Sequence, residues 1–233
     1  MTEGAAQRAG AARRPSTEPP RAWTRRNLLV LCVVTAVLVV TTLAARAELT
    51  SLEVEIFRAV NGLPQGLHTL VWPFMQYGTF ITIPVLAAIA LLFRRFRLAL
   101  AIALAGVGVY LVALVIKDVV ERGRPGALLL AVEEREVFGA ESLGYPSGHA
   151  AVAAALTVVV AAHLSVRWVI VALALGAVVL FGRVYVGAHL PLDVVGGAAL
   201  GAVAGSVVNL MMRPKPAPPT SLRSSPSKPE TTG

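Results

Sequence analysis

Six apolar stretches dominate this chain: residues 28–45, 72–93, 98–116, 150–166, 168–182 and 190–212. A membrane-spanning helix needs about 20 predominantly apolar residues, with a range of about 17–25. These stretches predict an all-α, integral membrane six-helix bundle. The charge content agrees, at 15% of the residues with 56% hydrophobic, against about a quarter charged in soluble domains. The first stretch follows a long polar segment and has no convincing small-residue cleavage site. It therefore reads as a retained helix and not as a signal peptide.

The ends read differently from the middle. Residues 1–26 form a basic tail rich in Ala, Arg, Pro and Gly, and residues 214–233 a Pro/Ser/Thr-rich tail. Neither has the apolar content to fold, so both are expected to be disordered around a six-helix core of residues 27–213. Lys and Arg in short loops set orientation. Arg13, Arg14, Arg21, Arg25 and Arg26 precede the first span, Arg94, Arg95 and Arg97 join the second and third, Arg167 joins the fourth and fifth, and Arg213 and Lys215 follow the sixth. With six spans all of them fall on one side, the cytoplasm, together with both termini. That accounts for most of the net charge of +8 without nucleic acid as a partner. The lone cysteine, Cys32, can form no intramolecular disulfide. Nothing in the chain specifies an oligomeric state.

The opposite side holds the connections 46–71, 117–149 and 183–189, with mixed charges that include Glu53, Glu133, Glu134 and Glu136. Within the first connection, Leu52, Ile56 and Val60 share one helical face. Thr50 and Glu53 have the spacing of a capping box, which predicts a short interfacial helix.

Ionisable groups at the edges of membrane helices are expensive, at about 2.5–3.5 kcal/mol on the mildest scale. Lys117, His149, Arg183, His189 and Asp193 all stand at the outward ends of spans three to six. Snorkelling explains a lone Lys or Arg there, but not two histidines and an aspartate on the same face. Lys117, Arg124 and Arg183 bring three cations to one rim, and guanidinium forks match phosphate oxygens. In "PSGH", Pro146 suits the start of a helix, Ser147 is a natural N-cap, and Gly148 lets a ligand approach the backbone. The free N–H groups of that helix end add an anion site. His189 and Asp193 lie four residues apart on one helical face. A carboxylate on one ring nitrogen sets the tautomer and basicity of the other, which makes His189 a candidate nucleophile oriented by Asp193. His149, beside the anion turn, is placed as a general acid. A metal site is disfavoured by the absence of an HExxH spacing and by the nearby cations, so no metal or other cofactor is expected. His68 and His163 have no companions, and His163 reads as structural.

In order and spacing these residues resemble the type 2 phosphatidic acid phosphatase superfamily, which also includes vanadium haloperoxidases. Its three-part signature is KxxxxxxRP, PSGH and SRxxxxxHxxxD. Here the parts are "KDVVERGRP" from Lys117 to Pro125, "PSGH" from Pro146 to His149, and "GRVYVGAHLPLD" from Gly182 to Asp193. Gly182 stands where the pattern has serine, which puts a supporting hydrogen bond in doubt; glycine there could also let the Arg183 backbone approach the site. The resemblance implies a membrane lipid phosphatase acting on a phosphomonoester or diphosphate headgroup, of the polyprenyl diphosphate, phosphatidic acid or phosphatidylglycerophosphate class, at the outer membrane face. It implies a phosphohistidine on His189, proton transfer by His149, and phosphate held by Lys117, Arg124, Ser147, Gly148 and Arg183. The alternatives are a vanadate-dependent haloperoxidase using the same residues and a non-enzymatic protein that binds or transports lipid phosphates. The partners expected are the phosphorylated lipid and the bilayer.

Overall fold

A computed structural model describes residues 25–137 and 142–212, and their regular structure is entirely helical. In chain order the helices are α1 (Arg25–Ala44), α2 (Ser51–Asn61), α3 (Leu67–Met75), a 3-10 turn (Gln76–Gly78), α4 (Thr82–Leu92), α5 (Phe96–Val120), α6 (Pro125–Leu128), α7 (Gly148–His163), α8 (Val166–Tyr185) and α9 (Pro191–Met211). The two tails expected to be disordered lie outside the described residues, apart from Arg25 and Arg26, which begin α1.

Three stretches are long and apolar enough to cross a membrane: Phe96–Leu128, Val166–Tyr185 and Pro191–Met211. A fourth results if the bent pair Leu67–Gly78 and Thr82–Leu92 makes one span, and Leu28–Ala44 and Gly148–His163 are shorter apolar helices. Large apolar side chains such as Leu92, Phe93, Leu111 and Ile170 face outward along these helices. Residues of this kind need a hydrocarbon surround in place of water. The chain is a multi-pass helical membrane protein.

Three of the expected spans are redrawn by local chemistry. The second, read as one helix over 72–93, is a pair bent by 66°. Pro73 lies inside α3, and the Gln76 carbonyl accepts hydrogen bonds from the hydroxyls of Thr79 (2.7 Å) and Thr82 (2.5 Å). Side-chain donors of this kind compete with the helical ladder. The fourth ends at His163 and not at 166, because Leu164 and Ser165 are extended. The fifth, read as short, runs a further turn to Tyr185. Arg183 is buried within that last turn and does not end the helix.

Helix α2 forms where expected, with Leu52 and Ile56 exposed as an interfacial helix requires. Glu53, Phe57 and Asn61 are buried, and Val60 of the apolar stripe packs against the core. The Thr50 hydroxyl accepts the Glu53 N–H at 3.2 Å. The Glu53 carboxylate does not return to complete the expected capping box, because stronger partners across the bundle take it. Asn61 donates to the carbonyls of Glu133 (2.9 Å) and Tyr185 (3.0 Å), pinning the α6–α7 connection to the end of α8.

The core centres on α7, which packs against α9, α5 and α8. Its inward positions are small: Ala150, Ala151, Ala153 and Ala155 are fully covered. Helix α9 answers with Gly197, Gly201 and Gly205, one per turn. A Cβ at Gly201 would strike the Ala151 carbonyl, one at Gly197 the Ser147 carbonyl, and one at Gly205 would lie 2.9 Å from the Ala155 carbonyl. Small residues at this spacing let two membrane helices meet backbone to backbone. The contact sets the beginnings of α7 and α9 side by side, with the Ser147 N–H donating to the Asp193 carbonyl at 2.9 Å. At the far end of the bundle, Arg97 of α5 donates to the Met212 carbonyl just past α9.

Candidate active site

The residues singled out from the sequence occupy one end of the bundle. Lys117 lies in the last turn of α5, Arg124 and Pro125 are the N-cap and first residue of α6, and Ser147 is the N-cap of α7. Gly148 and His149 open α7, Arg183 lies in the last turn of α8, His189 is in the α8–α9 connection, and Asp193 is in the first turn of α9. The charges of Arg183, His189, Arg124 and Lys117 all act on His149, so the side chains of four elements converge.

Each cation is held by backbone oxygen or by a carboxylate. Lys117 donates to the carbonyls of Leu143 and Gly144. Arg124 donates to the Ala188 carbonyl at 3.1 Å. Arg183, almost fully buried, pairs with Glu136 at 2.8 Å. The α6–α7 connection that carries Glu136 is anchored by Arg135, whose guanidinium lies 4.3 Å over the Tyr185 ring and donates to the Tyr185 carbonyl at 2.7 Å. Such a cation–ring stack adds to the hydrogen bond.

Ser147 is fully buried with the extended backbone of an N-cap, and its hydroxyl faces the Ala150 N–H at 3.5 Å. Pro146 is buried just before it, outside the helix. A Cβ at Gly148 would meet no atom within 4 Å, so the backbone there borders open space. The first-turn N–H groups of α7 are the donors that a helix start leaves unsatisfied.

His189 is buried; its Nδ1 has no hydrogen-bond partner and faces the Asp193 carboxylate Oδ2 at 3.7 Å, while the ring also interacts with the Gly144 backbone. That separation is longer than a hydrogen bond, and such contacts commonly shorten only once substrate is bound. Burial pushes the imidazole well below its ordinary range, and the charges of Arg183, Arg124 and Lys117 push in the same direction. The ring is therefore neutral, the state a nucleophile requires. Asp193 Oδ2 accepts the Leu190 N–H at 2.9 Å, and Oδ1 accepts Arg122 at 2.8 Å.

Gly182 does not border the site. A Cβ there would run into the Met75 side chain and lie 3.0 Å from Val71 Cγ1. A side chain there would collide with α3, so the glycine serves the α3–α8 contact. His163 caps its own helix through the Val159 carbonyl at 2.9 Å, whereas His68 Nε2 is buried without a partner. Among the described residues no cluster of three or more His, Cys, Asp or Glu could hold a metal ion.

Three residues of the site escaped the sequence reading: Glu53, Arg122 and Glu136. Arg122 stands inside "KDVVERGRP" at a position the pattern leaves free. The two glutamates were grouped with outward-facing charge. The available signal was the acidity of the loop opposite a rim of cations, since like charges gathered in a buried place call for counter-charges.

An all-helical membrane bundle that gathers two histidines, an aspartate and three cations at one end belongs to a narrow class of membrane proteins. The chain matches the family model described as the PAP2 superfamily over residues 94–216 and belongs to that superfamily. Two solved structures share its fold. Aquifex aeolicus LpxE aligns with a TM-score of 0.63 at 23% identity, covering 70% of this chain and 96% of that one. The Bacillus subtilis structure described as the first transmembrane PAP2 type phosphatidylglycerolphosphate phosphatase aligns with a TM-score of 0.65 at 22% identity, covering 78% and 94%. No curated protein matches the chain.

Proposed function

We propose that this protein is a membrane lipid phosphatase that cleaves a phosphomonoester or diphosphate headgroup through a phosphohistidine. The observation that carries this reading is the convergence of Lys117, Arg124 and Arg183 with His149, His189 and Asp193 at the open N-terminus of α7. Binding alone would need only the cations. The neighbour described as a phosphatidylglycerolphosphate phosphatase supports a lipid phosphate as the substrate class.

In the proposed reaction the phosphoryl group sits before Gly148, its oxygens shared among the three cations, the Ser147 hydroxyl and the α7 amides. His189 Nε2 forms a bond to phosphorus as the bond to the leaving oxygen breaks. Asp193 holds the Nδ1 side of the ring, and His149, protonated as the phosphoryl anion enters among the cations, delivers that proton to the leaving oxygen. In the second half His149 takes a proton from water, whose oxygen displaces His189 to release phosphate. Catalysis here is positioning plus stabilisation of charge already aimed at the phosphoryl oxygens. The chemistry as written requires no metal, and the site is assigned to the extracytoplasmic face. The support for that side is the run of arginines at the α4–α5 connection, at the end of α5 opposite Lys117.

The test is phosphate release by purified protein from a panel of lipid phosphates and diphosphates, with EDTA present. Wild type should release phosphate and His189→Ala should not; equal release by the two sinks the mechanism. Arg124→Ala should lose at least about a hundredfold in turnover while staying folded in detergent. Labelling of single cysteines placed in the 117–149 connection, in a Cys32→Ser background, would report the side of the membrane. Protection from an impermeant reagent in intact cells would reverse the orientation.

A further inference from the structure

The Asp193 carboxylate has its plane set from two sides. Oδ2 receives the Leu190 N–H, and Oδ1 receives Arg122 Nη1 at 2.8 Å. Arg122 is itself clamped by Glu53 of α2: Nη2 meets Oε2 at 2.7 Å and Nη1 meets Oε1 at 3.2 Å. Glu53 Oε1 also accepts the Leu192 N–H at 3.1 Å. All three side chains are at least nine-tenths buried. Two carboxylates and one guanidinium in a dry place carry a net negative charge. The first turn of α9, whose amides of Leu190 and Leu192 both donate into the group, offsets it.

Ion groups of this kind seldom add stability, since desolvation consumes most of the attraction. What they fix is geometry. A planar fork held by two oxygens of Glu53 cannot swing, so the nitrogen it presents to Asp193 stays in one place. With Oδ1 and one lone pair of Oδ2 occupied, the remaining Oδ2 lone pair faces His189 Nδ1. Glu53 and Arg122 bond to each other, to Asp193 and to the Leu192 amide.

We propose that Glu53 and Arg122 are positioning residues that act through Asp193, holding its carboxylate toward His189. This makes α2 part of the catalytic apparatus and not only a cover for the bundle mouth. The inference rests on the phosphohistidine reading, and its test separates the two. Glu53→Gln, Arg122→Lys, Asp193→Asn and the Glu53→Gln/Asp193→Asn double variant are purified in detergent. Each is assayed for kcat and KM on a short-chain lipid phosphate and for inhibition by orthovanadate.

Glu53→Gln should lower kcat about tenfold and Arg122→Lys by more, with KM and the vanadate inhibition constant within about threefold of wild type. In the Asp193→Asn background Glu53→Gln should cause no further loss, because groups acting as one unit are not additive. If the two losses multiply, or vanadate binding weakens in step with kcat, the residues merely support the fold and the proposal fails. Wild-type kcat in both single variants, beside an inactive Asp193→Asn, also overturns it while leaving the reaction intact. An Asp193→Asn variant as active as wild type overturns the reaction itself.

Discussion

In the proposed reaction Glu136 and an incoming phosphate compete for one guanidinium. The carboxylate lies 2.8 Å from Arg183 on a loop fastened by Arg135 and Asn61. A ligand that must displace a resident group binds more weakly, by the fraction of time the place is free. Glu136→Gln should therefore tighten vanadate inhibition by about threefold to tenfold. A weaker inhibitor constant would mean that Glu136 helps hold Arg183 in place. At this scale much of the site was legible, because Lys117, Arg124, Arg183, His149, His189 and Asp193 are residue types that apolar helices normally exclude from such positions. Glu53, Arg122 and Glu136 were not. Their partners lie on other elements, and a glutamate in an outer loop looks the same in sequence whether it faces solvent or a buried arginine.

Helix α9 holds its two ends to different standards. Its first turn carries Asp193, and its next turns carry glycines at 197, 201 and 205, which bring its backbone against α7. Gly201→Ala places a methyl on the Ala151 carbonyl, and neither backbone can yield without moving its helix. The expected result is a loss of about 1–3 kcal/mol in stability, read as a lower melting temperature, together with a fall in kcat as Asp193 and Ser147 separate. Gly108→Ala on α5 is the control, because a Cβ there meets nothing within 4 Å. It should be neutral or stabilising; equal effects from both would show that packing is not the cause. Hydropathy found the apolar stretches that became these helices. It could not see the bend between α3 and α4, which depends on two threonine hydroxyls meeting the Gln76 carbonyl, nor the inward polar face of α2. There the apolar stripe Leu52–Ile56 points away from the protein.

Across the whole molecule, polar contacts tie together elements far apart in the chain. The hydroxyls of Thr41 and Thr42 on α1 both meet the Tyr145 hydroxyl at 2.9 Å, just before Pro146. Glu53 reaches Arg122 and α9, and Asn61 reaches the α6–α7 connection and α8. The site is thus assembled from both halves of the chain, although the family match begins only at residue 94. A fragment that starts there would lack Glu53 and the two threonines.

The glycine seam between α7 and α9 has a practical meaning. Two helices joined by direct backbone contact owe little of their union to being driven out of a particular solvent, since lipid tails are as apolar as the side chains they would replace. The end proposed to be catalytic should survive a change of surroundings. A water-soluble phosphate ester should turn over with kcat within about threefold in detergent micelles and in lipid nanodiscs, whereas lipid substrates will also register how they are delivered. Comparing the two kinds of substrate in the two media would separate the chemistry of the site from the traffic of lipid toward it.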